Sequence, residues 1–373
     1  MRLIINCTNL RVGGGFQRSI SFLNEIKTLG KDEYHVYLNP ILVEQLDLET
    51  FPTNFQFYVL KDSPASLRTR RSIINEMSRL ERKINPDLVF SFVGTAYWVP
   101  KSKHFVGYAI PHIVYYDFPF VKAGSWKTKL EMIYKRYWTK KEADFFVVQT
   151  EDVRERLSKV IGVSKEKIAV VSNGFGKQYT DAEVVPIEDS KLKKLLMIST
   201  FRPSKNFEII KEVVPLLKGD EYEYEFHLTI RDEDFQRVFG DTQGVINHGH
   251  VFAKDCPALY NDCNAMFLPT HLECFSASYP EAMKMERPIL TSDFSFARAV
   301  CGDAAIYFDN SNPVDIAEKI KALFANLELQ QDLIERGRMR LESFDTPRNR
   351  AKKYLKICQN IVNDGQIGDY SIN

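Results

Sequence analysis

The sequence predicts an α/β protein of two domains, each a parallel sheet wrapped by helices. Three observations lead to this fold class. The chain has 373 residues, more than one core normally organises, because single cores stop growing near about 250–300 residues. Its composition, 44% hydrophobic and 27% charged, is typical of globular proteins. Short apolar runs alternate with helical patterns along the chain, which favours parallel strands joined by helices.

The first half contains six apolar runs that are interpreted as strands, with helical patterns between them. The runs lie near 3–5, 36–38, 57–60, 88–90, 105–108 and 145–148. The helices are expected at about 16–29, 66–84, 126–142 and 151–161. Thr150 supplies a cap-type residue for the last of these helices. A further strand at 168–171 closes a first domain that we expect to span residues 1–175.

A second domain is expected after a connector. Residues 176–190 lose the periodicity and carry several acids, as interdomain connectors do. The alternation then restarts over 191–345. Strands are expected near 195–198, 226–230, 265–268, 288–290 and 305–308, and helices near 206–218, 312–326 and 328–343. The C-terminal segment, 346–373, is predicted to form a helix over 347–364 that returns toward the first domain, because Asp345-Thr346-Pro347 is a helix start signal.

Several protein classes are disfavoured by what the sequence lacks. The amino terminus turns polar at Thr8-Asn9, too early for a signal-peptide core, and no 18-residue apolar stretch follows. We therefore expect a cytoplasmic protein. The six cysteines form no CxxC pair, which is usual for reduced thiols. Irregular spacing argues against a zinc set made of His248, His250, Cys256 and Cys263, so no metal is expected.

Charge is distributed unevenly, although the net charge is only +1. Residues 1–175 hold 26 Lys/Arg against 18 Asp/Glu, and the remainder holds 24 against 31. Two basic clusters fall on predicted helices: Arg68, Arg70, Arg71, Arg79, Arg82 and Lys83, and then Lys127, Lys129, Lys135, Arg136, Lys140 and Lys141. They are open to two interpretations, a solvated helix face or attraction to anionic lipid head groups or a phosphate-bearing acceptor. No nucleic-acid partner is expected.

A glycine-rich turn follows the first strand. The run Val12-Gly13-Gly14-Gly15-Phe16 leads into a helix, where small residues let backbone amides approach an anionic group closely. The GxGxxG spacing of a nicotinamide site is absent, because Arg18 stands where the third glycine would be. Gly14, Gly15 and Phe16 are therefore candidates for binding an anionic ligand, with a plain tight turn as the alternative.

Two cations follow the first strand of the second domain. Arg202 and Lys205 lie at a strand-to-helix turn on the carboxyl edge of the predicted sheet, where such folds bind ligands. A guanidinium and an ammonium group there suit a diphosphate, because they would neutralise charge that grows on a leaving nucleotide. A surface pair of cations is the alternative.

Two glutamates eight residues apart, Glu273 and Glu281, lie across a loop-to-helix junction after another strand. The loop could present Glu273 to a sugar, and Glu281 could accept hydrogen bonds from two ribose hydroxyls. Such spacing also occurs by chance. A third acidic pattern, Asp232-Glu233-Asp234, has the DxD form of a metal-binding signature, but the acidic start of a helix explains it better.

Taken in order, these motifs resemble the donor domain of family 4 retaining glycosyltransferases, which have the GT-B architecture of two Rossmann-like domains facing a cleft. The resemblance runs from about 195 to 344. It comprises Arg202, Lys205-Asn206, Gly249-His250-Val251, Ala258-Leu259-Tyr260, Glu273, Glu281-Ala282-Met283, Arg287-Pro288-Ile289-Leu290 and Gly302-Asp303-Ala304-Ala305. The triglycine turn, His112 and residues 171–174 resemble the first domain of the same family.

The resemblance implies a role for each matching residue. Arg202 and Lys205 would hold the diphosphate, Glu281 the ribose, and Glu273 the hydroxyls of the transferred sugar. His112 would lie near that sugar, with a packed core histidine as the alternative. The remaining donor-binding candidates, three of them through backbone amides, are His250, Val251, Cys274, Phe275 and Ser276.

The implied reaction moves a sugar, with retention, from a UDP- or GDP-sugar to a glycan or lipid-linked acceptor, as in bacterial surface polysaccharide synthesis. The leaving diphosphate helps to deprotonate the acceptor, so no protein nucleophile is implied. No cofactor or metal is implied either. The chain departs from the family at Thr200, where the family usually has the arginine that lies five residues before the lysine. Two alternatives stay open, a nucleotide-sugar epimerase of the same architecture and a non-catalytic partner subunit.

Overall fold

A computed structural model describes residues 1–10 and 13–372 of the chain. They divide into two compact units, the first made of residues 1–173 and 345–373 and the second of residues 174–344. Residues 176–190 thus belong to the second unit. Each unit is built on a parallel sheet with helices, which confirms the predicted fold class.

The first unit contains a seven-stranded sheet in which all pairs are parallel. Its strands are β1 (Arg2–Asn6), β2 (Glu33–Leu38), β3 (Phe55–Val59), β4 (Leu88–Ser91), β5 (His104–Gly107), β6 (Phe145–Val148) and β7 (Ile168–Val170). They lie in the order β3-β2-β1-β4-β5-β6-β7, so the chain reverses direction across the sheet between β1 and β4. In register, Leu3 of β1 lies between Tyr34 and Leu88.

Helices cover this first sheet, and one of them comes from the end of the chain. They are α1 (Gly14–Leu29), α2 (Pro40–Val43), α3 (Arg70–Ile84), α4 (Pro111–Val114), α5 (Pro119–Lys122), α6 (Trp126–Glu142), α7 (Glu151–Ile161) and α15 (Pro347–Asp364). The predicted cap of α15 is present, because the Thr346 side chain accepts a hydrogen bond from the amide of Asn349 at 3.2 Å. Helix α15 packs against α1.

The core of the first unit includes the buried face of α15. The Tyr354 ring lies 5.6 Å from that of Phe22 in α1 and 5.5 Å from that of Phe90 in β4. Ile357, Cys358 and Ile361 are fully buried in the same cluster. Residues from both ends of the chain therefore form one core.

The second unit contains a six-stranded parallel sheet. Its strands are β8 (Leu192–Met197), β9 (Glu223–Leu228), β10 (Val245–Asn247), β11 (Ala265–Leu268), β12 (Ile289–Ser292) and β13 (Ile306–Phe308). Their order is β10-β9-β8-β11-β12-β13, with the reversal between β8 and β11. The helices are α8 (Ile210–Leu217), α9 (Asp232–Val238), α10 (Cys256–Asp262), α11 (Ser278–Lys284), α12 (Ser295–Cys301), α13 (Pro313–Phe324) and α14 (Leu327–Leu341).

Short 3₁₀ turns complete the described elements. They lie at Leu48–Thr50, Lys165–Lys167, Lys177–Tyr179, Pro203–Lys205, Phe207–Ile209 and Ala253–Asp255. Among residues 1–10 and 13–372, no helix is both long enough and apolar enough to cross a bilayer.

Candidate active site

The candidate site of the second unit lies where the carboxyl ends of β8 and β11 meet, at the reversal of strand order. Open α/β sheets bind ligands at this position because the following loops diverge there. The two loops are tied together by the Ser204 carbonyl, which accepts hydrogen bonds from the His271 amide at 2.8 Å and from Thr270 Oγ1 at 2.9 Å. Residues that are far apart in sequence are thereby held side by side.

Two of the predicted site residues are in direct contact. Lys205 Nζ donates a hydrogen bond to Glu273 Oε2, and the two side chains are 14% and 22% exposed. A lysine ammonium carries three donors, so phosphate oxygens can occupy the others. Glu273 Oε1 likewise remains a possible acceptor for a sugar hydroxyl.

Arg202 lies at the start of the same turn. Its carbonyl accepts the Lys205 amide at 2.9 Å, and the residue is exposed to solvent. Thr200, at the position where the family usually has arginine, is also exposed. The structure therefore presents Arg202 at the surface of the turn and holds Lys205 against Glu273.

The loop after β11 continues from Glu273 into α11. Cys274 and Ser276 are buried, whereas Phe275 is half-buried. The Phe275 ring meets the Phe344 ring edge-on at 6.0 Å. Because their side chains are enclosed, Cys274 and Ser276 would have to contact a ligand through their backbone.

Glu281 is half-buried on α11, beside the buried ring of Tyr179. The Tyr179 hydroxyl donates a hydrogen bond to the Glu281 carboxyl group. Burial raises the pKa of Glu281 to about 7, and the Tyr179 hydrogen bond opposes part of that rise. The carboxyl group thus titrates close to neutral pH.

Tyr179 is a further candidate site residue, one that the sequence did not indicate. It ends the 3₁₀ turn Lys177–Tyr179, inside the stretch interpreted as a connector, and it is 1% exposed. Its ring meets the Tyr260 ring at 5.9 Å, and Tyr260 donates to the Ser278 carbonyl at 3.3 Å. No periodic pattern surrounds Tyr179, so only its tertiary contacts indicate its position.

His250 and Val251 follow β10, two strands away from β8. Gly249 before them has a φ of 66°, a left-handed conformation that glycine adopts without strain. The exposed His250 ring meets the Phe252 ring at 5.2 Å. These residues share the carboxyl edge of the sheet with Lys205, and the ring of His250 packs against a residue of its own loop.

The glycine-rich turn of the first unit begins α1, although Arg11 and Val12 lie outside the described residues. Gly13 has a φ of 87° and precedes the first helical residue, Gly14. A Cβ on Gly14 would meet nothing within 4 Å, whereas one on Gly15 would approach Val93 Cγ2 at 3.1 Å. Among the described residues nothing fills the space outside Gly14, whereas a side chain at position 15 would need Val93 to shift by a few tenths of an ångström.

Phe16 and His112 also lie in the first unit. Phe16 is 6% exposed and belongs to the core, so only its backbone could bind a donor. His112 is half-buried on α4, with its ring 6.3 Å from that of Phe120. Burial lowers the pKa of His112, Lys135 lowers it further, and Glu131 opposes the shift. The imidazole is therefore neutral at pH 7.

The DxD pattern forms the first turn of α9, as predicted. Asp234 is paired with Arg231 at 2.9 Å and with Arg237 at 2.7 Å. Asp232 Oδ1 accepts a hydrogen bond from Asn247 Nδ2 at 2.8 Å. Neighbouring side chains therefore engage both aspartates.

A different group brings together atoms that could hold a metal ion. Ligand atoms of His227, Asp262 and Cys263 lie within 4.8 Å of one another. Lys194 Nζ, however, contacts Asp262 at 3.0 Å, and Glu225 Oε2 lies 3.1 Å from His227 Nε2. Protein groups thus already engage two of the three residues.

Two residues that were considered as zinc ligands have other neighbours. His248 Nε2 lies 2.9 Å from His227 Nδ1, and the Cys256 thiol shares a hydrogen bond with Tyr179. All six cysteines are free thiols and buried. The six thiols therefore belong to the packed interior.

Two family models match the chain one after the other. Residues 44–176 match Glycosyltransferase Family 4, and residues 180–340 match Glycosyl transferases group 1. The second range contains Lys205, Glu273 and Glu281. The two ranges together span most of the chain.

A curated relative is similar to part of the chain. The capsular polysaccharide biosynthesis glycosyltransferase CapM of Staphylococcus aureus is 31% identical over 114 residues, which are 30% of this chain and 30% of that protein. The chain thus spans less than a third of this curated relative.

The solved structures are similar over nearly their full length. A glycosyltransferase from Rickettsia africae has a TM-score of 0.73 at 15% identity, covering 97% of this chain and 99% of that one. HepE from Anabaena, in complex with UDP and glucose, has a TM-score of 0.70 at 13% identity, covering 95% and 99%. Similarity at these identities is one of fold, the GT-B fold.

Proposed function

We propose that this chain, which belongs to the group 1 glycosyltransferases of family 4, transfers a sugar with retention of configuration from a nucleoside diphosphate sugar to a saccharide acceptor. The contact between Lys205 and Glu273 carries the proposal. It joins a cation suited to a diphosphate with a carboxylate suited to sugar hydroxyls, at the edge where α/β sheets bind ligands.

The diphosphate would be held by Lys205 and Arg202. Lys205 is already oriented by Glu273, and Arg202 adds a second positive charge from the same turn. Charge grows on the diphosphate as the bond to the sugar breaks, so cations fixed there stabilise the transition state more than the ground state. One well-placed donor of this kind contributes on the order of 10²–10³ in rate.

The ribose would be held by Glu281. A carboxylate has about four lone-pair sites, and the Tyr179 hydroxyl uses one of them. Two ribose hydroxyls can donate to the others. Because Glu281 is half-buried, bulk water competes less for its carboxyl group, and each hydrogen bond to it contributes more than at a fully exposed site.

The reaction itself would need no nucleophile from the protein. The acceptor hydroxyl would attack the face that the diphosphate leaves, and a leaving phosphate oxygen would take its proton. Positioning and charge stabilisation then supply catalysis. The neutral imidazole of His112 could accept a hydrogen bond from the transferred sugar or the acceptor. We propose that Arg202 and Lys205 make a divalent metal unnecessary.

The relatives support the proposed donor and acceptor classes. UDP is bound by HepE, and CapM takes part in capsular polysaccharide biosynthesis. We propose a UDP- or GDP-sugar as donor, a glycan or lipid-linked saccharide as acceptor, and bacterial surface polysaccharide as the pathway. Six free thiols fit a reducing compartment, so we place the reaction in the cytoplasm, at the inner face of the membrane. Membership in a family of glycosyltransferases argues against the two alternatives, a nucleotide-sugar epimerase and a non-catalytic partner subunit.

The test compares Lys205→Gln with Lys211→Gln, an exposed lysine on α8. We expect thermal-shift screening to show that UDP or GDP stabilises the wild type and Lys211→Gln but not Lys205→Gln. Donor turnover of Lys205→Gln should fall on the order of 10²-fold. Proton NMR of the product should show the anomeric configuration of the donor. Inverted product would refute retention, and equal nucleotide binding by all three proteins would refute the assigned site.

A further inference from the structure

Helix α6 of the first unit turns an apolar stripe toward solvent. Trp126, Leu130, Ile133 and Tyr137 are 67%, 55%, 63% and 58% exposed. Their spacing of four, three and four residues places them in one line along the helix. Soluble proteins ordinarily bury such a stripe, and a contiguous one on the surface marks an interaction site.

The opposite face of α6 is anchored in the protein, so the stripe cannot turn inward. Thr139 and Glu142 are buried. The Glu142 carboxylate accepts hydrogen bonds from the amides of Ala96 and Tyr97, both at 2.8 Å. The Ser125 side chain caps the start of the helix by accepting the Thr128 amide at 3.3 Å. The two hydrogen bonds of Glu142 join the helix to another segment and so fix its rotation about its axis.

Basic side chains flank the stripe on both sides. At 100° per residue, Lys129, Arg136 and Lys140 lie along one margin, and Lys127 and Lys141 lie along the other. All five are exposed. The acid Glu131 lies away from the stripe and pairs with Lys135 at 2.6 Å. The stripe and its five flanking cations are called the α6 surface below.

The start of α3 adjoins this helix. The Arg70 guanidinium lies 4.4 Å from the centre of the Tyr97 ring and donates to the Tyr134 hydroxyl of α6. Leu67, just before α3, is 80% exposed, and Arg68 and Arg71 beside it are exposed. The positive and apolar character of the α6 surface therefore continues onto a second element.

We infer that the α6 surface binds an anionic lipid bilayer, with the stripe in the boundary between head groups and acyl chains and the cations among the phosphates. Trp and Tyr favour that boundary, and Lys and Arg beside them favour anionic lipid. A second copy of the chain is the poorer occupant, because a two-fold interface would press this positive surface against itself. The aliphatic members Leu130 and Ile133 favour a bilayer over a soluble polyanion.

The position of α6 links membrane binding to the acceptor, and this part of the inference rests on the proposed function. Helix α6 contacts α4, which carries His112. Lys135 and Glu131 of α6 both influence the pKa of His112. A bilayer on the outer face of α6 would lie one helix away from this histidine, where a lipid-linked saccharide would be presented.

Co-sedimentation of the full chain with vesicles, without donor or acceptor, tests the inference separately from catalysis. We expect binding to vesicles containing phosphatidylglycerol and none to pure phosphatidylcholine. Lys129→Gln/Lys140→Gln should lower the partition coefficient about 30-fold, at about fivefold for each charge. Lys211→Gln/Lys218→Gln in the second unit, which removes two exposed lysines elsewhere, should bind as the wild type does.

The apolar stripe needs its own comparison. Leu130→Ser/Ile133→Ser should lose most binding, whereas Leu327→Ser/Met339→Ser, which alters two similarly exposed residues of α14, should keep it. Lipids brominated near the head group should quench fluorescence of the bound protein, and Trp126→Phe should lose that quenching. The inference would be overturned if either α6 double variant bound vesicles as well as the wild type does. Equal binding to both lipid types would also overturn it. So would a dimer that the Leu130/Ile133 variant dissociates.

Discussion

The pKa of Glu281 allows its proposed role to be tested by pH. If the ionised carboxyl group binds the ribose, binding must release a proton wherever the empty site is protonated. With a pKa of about 7, about 9% of the groups are ionised at pH 6 and about 91% at pH 8. Nucleotide affinity should therefore rise about tenfold from pH 6 to pH 8, and it should level off above pH 8.

The variant Glu281→Gln removes both the charge and the titration. Hydrogen bonds to charged groups contribute about 1.5–3 kcal/mol, so the variant should bind UDP or GDP about 10–150-fold more weakly at pH 8. At pH 6 the wild type has lost most of its advantage, and the difference should shrink about tenfold. The ratio of the two affinities cancels the titration of the free nucleotide's own phosphate.

Isothermal titration calorimetry at pH 6, 7 and 8 measures this ratio. Repeating the pH 7 titration in buffers with different ionisation enthalpies counts protons, and the wild type should release about half a proton more than Glu281→Gln. A ratio that stays constant from pH 6 to pH 8 would refute the reasoning, because the carboxyl group would then not change its ionisation on binding.

Three further outcomes are expected. Tyr179→Phe should move the midpoint of the affinity rise to higher pH, because Glu281 loses a hydrogen bond that stabilises its charge; an unmoved midpoint would contradict the contact. Glu273→Gln should leave binding of bare nucleotide unchanged or tighter, since Lys205 loses a competing carboxylate, while turnover of the full donor falls on the order of 10²-fold; equal turnover would rule out a sugar contact. Turnover should survive excess EDTA, and a loss reversed by Mn²⁺ would reopen the DxD pattern as a metal site.

Elements with local start and stop signals were predictable from the sequence. The bounds of α6 and α7 agree with the expected 126–142 and 151–161. Thr150 caps α7, and Gly162, with a φ of 64°, ends it. Helix α8 instead begins at Ile210 rather than at 206, because Asn206 has a φ of 55° and a 3₁₀ turn follows. Strand β10 was missed because its three residues are defined mainly by their pairing with β9.

The candidate site was predictable only where residues follow a motif. Lys205 and Glu273 were expected in one site, and they are in contact. Tyr179 could not be identified, because its role depends on burial against Tyr260 and Glu281 rather than on its neighbours in sequence. The sequence also did not indicate that the apolar stripe of α6 faces solvent. Apolar residues at helical spacing usually face a core, whereas here the exposed stripe and the buried Thr139 and Glu142 on the opposite face show that the stripe is turned outward.

The packing of α15 in the first unit affects the order in which the chain can fold during synthesis. The core around Phe22 and Phe90 stays uncovered until the ribosome has made Tyr354 and Ile361, after the whole second unit has been synthesised. At about 5–20 residues per second, that delay is roughly 10–35 s for residues 174–344. The second unit, which is continuous in sequence, can therefore finish folding before the first, whose aromatic core residues stay exposed during that delay.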